Sequence, residues 1–257
     1  LGFLFCEECN VKRNIERTKL AKLDLDMKLK QFSDCTSLSF SHQSVQYLKE
    51  HKDRFDYELA IVLNVLRDLQ LELLESKYIY IRGGLSLGFH FENENMIFSE
   101  GLINSHDLES EIAVYPRIIL NENLFDILKI MIKDQKDDMA LLGVDKMLVC
   151  DNNGIVFINP FNPQEAYSKY ANQESFKEKV KEEYGVPLPA EHTKIAKIRD
   201  SNLQSRILKN VENRIVEYKD DYTILKKYLW LKELIKWNQD PKSSKIKFEY
   251  LKLKHLN

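Results

Sequence analysis

The sequence predicts an α+β fold, a ferredoxin-like sandwich of helices on a sheet. Three observations carry the prediction. Tyr57 to Leu74 is strongly helical, with Leu59 to Leu66 apolar nearly all round, the pattern of a helix buried on most sides. Tyr78 to Leu87 and Ala113 to Leu120 are rich in aromatic and β-branched residues, and a helical stretch separates them. Lys146 to Cys150 and Ile155 to Ile158 flank Asp151-Asn152-Asn153-Gly154, and Asn-Gly between apolar runs is a strong hairpin signal. Helices interleaved with hairpin-forming strands suit a sheet of antiparallel strands carrying its helices on one face.

The elements follow in order. Residues 11–30 are rich in Lys, Arg, Asp and Leu, with apolar positions at Ile15, Leu20, Leu23 and Leu25, predicting a surface helix. Leu29, Phe32, Leu38 and Phe40 flank a Ser-Asp-Cys-Thr-Ser centre, predicting a hairpin with Asp34 near its tip. His42 to Lys52 reads as a polar connector and Phe89 to Asn95 as a polar loop. Phe98 to Ser110 reads as a helix capped by Ser99. Asn121 or Asn123 caps the next helix, which runs through Ile132. Beyond Asn162 the pattern is helical, broken at Gly185-Val-Pro-Leu-Pro189 because proline cannot continue a helix. Helices are expected near 202–218 and 222–238, the second carrying Leu225, Leu229, Trp230, Leu234 and Trp237. Lys245 to Lys254 alternates basic and apolar residues, as an edge strand guarded by lysines does. Residues 1–160 thus read as an α+β domain and 161–257 as a helical C-terminal extension.

Composition narrows the function. The chain has 257 residues, 44% of them hydrophobic and 30% charged, with a net charge of −2, so no excess positive charge favours nucleic acid. No apolar run approaches the roughly 20 residues that span a bilayer, and no signal peptide opens the chain; a cytoplasmic location is expected, with no membrane partner. Cys6-Glu-Glu-Cys9 has the spacing of half a zinc site, but no second pair completes it, so two reduced thiols are expected.

A few residues suit phosphate chemistry. A carboxylate at a hairpin tip, Asp34, suits Mg²⁺, which takes one or two carboxylates and leaves other positions to phosphate and water; asparates also simply make turns. Gly83 and Gly84 interrupt an apolar strand, which fits either a bulge or the close approach of a ligand, and Gly88 ends that strand. Arg82 and Arg117 both fall in predicted strands, where a half-buried guanidinium needs an anion. Glu109 is a structural partner for either, and a developing phosphoryl charge is the alternative. On the helix between the strands, Asn104 suits a ribose or transition-state oxygen and His106 a general base, although a polar face is also simply solvated.

Taken in order, Leu1-Gly2-Phe3, Phe32-Ser33-Asp34, Arg82-Gly83-Gly84 with Gly88, Leu108-Glu109 and Tyr115-Pro116-Arg117-Ile118 resemble the class III nucleotidyl cyclases, in particular the compact bacterial branch beside the pyrimidine cyclases of anti-phage defence. The late Trp230 fits the helical end of that branch. The resemblance covers most of residues 1–160 and implies a palm-type core whose first strand is incomplete at Leu1. It implies conversion of a nucleoside triphosphate to a 3′,5′-cyclic nucleotide and pyrophosphate. It further implies Mg²⁺ or Mn²⁺ held by Asp34, phosphates facing Arg82 or Arg117, nucleotide contacts at Gly83, Gly84 and Gly88, a role for Asn104 in catalysis, and a homodimer. Two departures stand out. The family's first metal carboxylate lies two residues before Leu-Gly-Phe, hence before Leu1, and is expected in the parent reading frame. Ile103 and Asp107 occupy the places of the Asn and Arg that typical class III cyclases use at the transition state. A cyclase-fold module that binds nucleotide or protein without turnover is the rival expectation.

Overall fold

The computed structural model describes residues 26–32, 35–41, 52–93, 96–134, 144–161 and 192–251. Expectations for residues 1–25, including Cys6 and Cys9, for Asp34, for the connector at 42–51 and for the break at 185–189 lie outside them. The strands are β1 (Asp26–Phe32), β2 (Cys35–Ser41), β3 (Gly83–Leu85), β4 (His90–Glu92), β5 (Ile97–Ser99), β6 (Ile118–Leu120), β7 (Leu148–Asp151), β8 (Val156–Ile158) and β9 (Phe248–Tyr250). The helices are α1 (Lys52–Lys77), α2 (Glu100–Asp107, continued by a π-helical turn over Leu108–Ile112), α3 (Glu122–Asp134), the short α4 (Val144–Met147), α5 (His192–Glu217) and α6 (Tyr222–Gln239).

The α+β class stands, but the expected antiparallel sheet does not: the central sheet is mixed. Its order is β3-β6-β8-β7-β9, with β3 parallel to β6 and every other pair antiparallel. The connection decides the direction. β7 and β8 are joined by the Asp151–Gly154 turn, in which Gly154 takes φ +80°, and a tight turn reverses the chain. From β3 to β6 the chain passes through a ribbon and a helix, long enough to return it to the same end of the sheet.

Both faces of the sheet are covered, so its inner strands read as unbroken apolar runs. Ile118, Leu120, Leu148, Val156 and Ile158 face one core with Leu59, Val62, Leu63 and Leu66 of α1 and Leu124 and Leu128 of α3. Ile119, Val149 and Phe157, one residue out of phase, face a second core with Leu203, Ile207 and Val211 of α5 and Trp230, Leu231, Leu234 and Ile235 of α6. The C-terminal segment therefore supplies both the helices of the second face and an edge strand, β9, as the lysine-flanked tail suggests.

Several element boundaries differ from expectation: the strand expected over Ala113–Leu120 shrinks to Ile118–Leu120, the helix expected near 202–218 starts at His192, and three further differences have a local cause. Residues 26–30 belong to β1 rather than to a helix; the alternation Met27-Lys28-Leu29-Lys30 has a strand's period of two, and β2 offers a partner. The strand expected over 78–87 shrinks to Gly83–Leu85 and lies at the sheet's edge. Tyr78 and Ile79 are spent ending α1: Tyr78 takes φ +52° and the Ile79 N–H donates to the Leu73 carbonyl, a helix-closing pattern. The loop expected over 89–95 holds β4, paired with β5 through His90↔Ser99, Phe91↔Phe98 and Glu92↔Ile97.

Candidate functional site

The motifs of the middle of the chain meet where α2 lies against β3. Helix α2 begins where expected, the Ser99 side chain accepting from the Leu102 N–H at 2.9 Å. Its first turn crosses the end of the β3 segment so closely that a Cβ on Gly88 would lie 2.9 Å from the Gly101 Cα. One turn on, a Cβ on Gly84 would lie 2.7 Å from the Leu108 Cβ and would collide with the Ser105 carbonyl oxygen. Two of the three glycines are thus explained by a helix passing against a strand. Gly83 differs: a Cβ there meets only the Ile118 Cγ1 at 3.7 Å, an ordinary contact. Polar stitching follows the same seam. Ser86 Oγ donates to the Gly101 carbonyl at 2.6 Å and lies 2.8 Å from Ser105 Oγ.

Across the strand, the Gly83 N–H donates to the Arg117 carbonyl at 3.1 Å, and Gly83, Gly84 and Leu85 pair with Ile118, Ile119 and Leu120. The Tyr115-Pro-Arg-Ile118 motif is therefore the immediate neighbour of Arg82-Gly83-Gly84. Both arginines sit one residue before their strands, not inside them.

Each arginine has a carboxylate within the chain. Arg82 Nε lies 2.5 Å from Glu109 Oε1, the partner that sequence reasoning named, and the guanidinium remains partly exposed. Arg117 goes the other way. Its Nη1 donates to Asp151 Oδ2 at 2.6 Å, and the side chains are 2% and 1% exposed. The rings of Tyr115, Phe157 and Trp230 surround its guanidinium at 5.3–5.5 Å, and its Nε has no hydrogen-bond partner. Asp151 also accepts from the Asn153 and Ile155 N–H groups through Oδ1. Sequence reasoning saw Asp151 only as a turn residue; it forms the turn with one oxygen and neutralises Arg117 with the other.

Asn104 is half-buried on α2 beside Ser105, on the helix that packs against β3. His106 is exposed, its Nδ1 3.6 Å from Asp107. Asp34, the expected metal ligand, lies outside the described residues; its flanking strands form the expected hairpin, closing at Phe32↔Cys35. That ribbon touches the second one: Lys30 Nζ donates to the Asn93 carbonyl at 3.1 Å. Among the described residues no three His, Cys, Asp or Glu side chains converge as a metal donor set. No helix among them is long and apolar enough to cross a membrane.

One feature had a sequence signal that was passed over. Phe89-His90-Phe91 alternates apolar and polar, Met96-Ile97-Phe98 is an apolar run, and the side chains of Phe89, Phe91, Met96 and Phe98 are exposed. The glutamates and asparagines of that stretch suggested a loop.

Compared with protein-family models, with curated proteins and with solved structures, the chain finds no match.

Proposed function

We propose that this chain is a nucleotidyl cyclase-type protein: it takes a nucleoside triphosphate and closes the ribose 3′-hydroxyl onto the α-phosphate, releasing pyrophosphate. One observation carries the reading. The Arg82-Gly83-Gly84 strand with Gly88, the helix running to Leu108-Glu109, and the Tyr115-Pro-Arg-Ile118 strand follow one another along the chain and pack as one unit. Their packing supports the reading in that it sets the Arg-Gly-Gly and Tyr-Pro-Arg-Ile segments side by side, as a shared site requires. In this reading Asp34 would hold Mg²⁺ or Mn²⁺, which would supply neutralisation of the triphosphate charge. Arg82, partly exposed and paired with Glu109, is the arginine that in this reading would meet phosphate oxygens. Asn104 stands on the helix that crosses this strand, where its amide would hold the ribose. Arg117 supports the fold of the site from behind instead of touching substrate.

The rival reading is a cyclase-fold module, assembling as a homodimer, that binds nucleotide or protein without turnover. A specific observation favours it: both arginines already have carboxylate partners within the chain. One experiment separates the two. The protein is incubated with Mn²⁺ and each of ATP, GTP, CTP and UTP, with cyclic product followed by chromatography and binding by calorimetry. The cyclase reading expects cyclic product from at least one triphosphate, abolished by Asp34→Ala and reduced about 10²–10³-fold by Arg82→Ala, the usual loss when one donor to developing charge is removed. Saturable binding without product establishes the module, and neither product nor binding overturns both.

A further inference from the structure

We propose that the outward face of the β4–β5 ribbon is a docking surface for a cationic amphipathic segment of a partner protein. The register puts Phe91 opposite Phe98. The Glu100 N–H donates to the Phe89 carbonyl and the Asn93 N–H to the Met96 carbonyl, so the same ladder continues at both ends. Strand side chains alternate, so Phe89, Phe91, Met96 and Phe98 all share one face, while Ile97 and the buried Ser99 point to the other. The four are 74%, 50%, 54% and 67% exposed, and Ile103 on the following helix is 60% exposed. At roughly 200 Å² per large side chain, the ribbon alone leaves on the order of 500 Å² of apolar surface in water. That is the size of patch that marks an interaction site on a soluble protein.

Charge selects the occupant. From Gly83 to Pro116 the chain carries Glu92, Glu94, Glu100, Asp107, Glu109 and Glu111 and neither lysine nor arginine. Glu100 stands on the apolar face itself, opposite Phe89, and Asp107 and Glu111 are exposed on the helix that continues from it. Among the described residues, Arg82 is neutralised by Glu109 and Lys30 donates to the Asn93 carbonyl at the ribbon's far end. A second copy of this face would bring acidic rims together, and an anionic lipid surface would be repelled in the same way. A segment with leucine-like residues on one side and lysines on the other meets both the apolar centre and the acidic rim. The inference stands independently of the nucleotide chemistry proposed above.

The test uses the full chain and a fluorescent synthetic helix of leucine and lysine, with a leucine–glutamate helix, phosphatidylcholine vesicles and sedimentation as the other arms. The leucine–lysine helix should bind saturably and weaken several-fold as salt rises from about 0.05 to 0.5 M, because screening shortens the reach of the rim charges. Phe91→Ser/Phe98→Ser should lower its affinity at least tenfold. If that double variant fails to fold by circular dichroism, Phe89→Ser, outside the paired strands, replaces it with an expected drop of several-fold. Equal binding of the leucine–glutamate helix, unchanged affinity in a folded variant, or stronger uptake by vesicles overturns the proposal. So does a dimer that Phe91→Ser/Phe98→Ser dissociates, which would assign the face to a second copy.

Discussion

Arg117 is almost wholly withdrawn from water, and a buried guanidinium is tolerable only with a counter-charge. Asp151 supplies it, while three aromatic rings occupy the guanidinium's other sides. Removing one member leaves the other charged and unpaired. Asp151→Ala is therefore expected to cost about 3–5 kcal/mol in urea denaturation, whereas Arg117→Met/Asp151→Asn should recover much of that loss. If the double variant is as unstable as the single, the pair is not what the site depends on. At this scale the sequence showed that the arginines needed anions and offered Glu109 for either; the structure gives Glu109 to Arg82. The sequence did not reveal Asp151, because Asp-Asn-Asn-Gly is sufficient reason for an aspartate, and the second role appears only when β6 and β7 share a sheet.

At the scale of elements, the glycines of one motif divide by what passes beside them. Gly84→Ala and Gly88→Ala would press a methyl into the α2 backbone, and each is expected to lower stability by about 1–3 kcal/mol, the usual cost of overpacking. Gly83→Ala has room and should change stability by less than about 0.5 kcal/mol. Thermal melts of the three single variants check this, and equal losses at all three would refute the strand–helix explanation. Helix starts were legible because capping is local: Ser99 accepts from Leu102 N–H and Asn121 Oδ1 from Leu124 N–H, as their positions suggest. The end of α1 was not legible, because tyrosine in a left-handed conformation carries no sequence signal comparable to glycine. The β4–β5 ribbon was missed for a related reason. Its apolar residues face water, so they pair without belonging to either core.

At the scale of the molecule, the segment before β3 is tied to the helices of the second core by contacts that no single segment reveals. Tyr80, just before β3, donates its hydroxyl to Asn210 Oδ1 on α5 at 2.8 Å and meets Tyr228 of α6 edge-on at 5.3 Å; Tyr228 in turn stacks on Tyr218. Burial pushes the Tyr80 hydroxyl well above its usual value, and pushes Tyr228 up as well. A raised folded-state value keeps the proton on in the folded chain after the unfolded chain has lost it. Stability is therefore complete below about pH 10, the unfolded tyrosine value, and falls as pH climbs from there toward the folded value. Tyr80→Phe should make the alkaline decline shallower while costing about 0.5–1.5 kcal/mol at neutral pH for the lost hydrogen bond. Chemical denaturation at pH 8 and above pH 10 measures both, and an unchanged alkaline slope would remove Tyr80 from the account.

By itself the sequence determined the α+β class, the long first helix, the Asp151–Gly154 hairpin, the lysine-flanked edge strand and the helix starts capped by Ser99 and Asn121. Each depends on periodicity or on turn and cap chemistry among residues within a few positions of one another. Only the tertiary structure decided that the sheet is mixed and covered on both faces, that Arg117 belongs to Asp151, and that two glycines answer to a helix. Those outcomes depend on which distant segments become neighbours, and a local pattern is compatible with several such pairings until packing selects one.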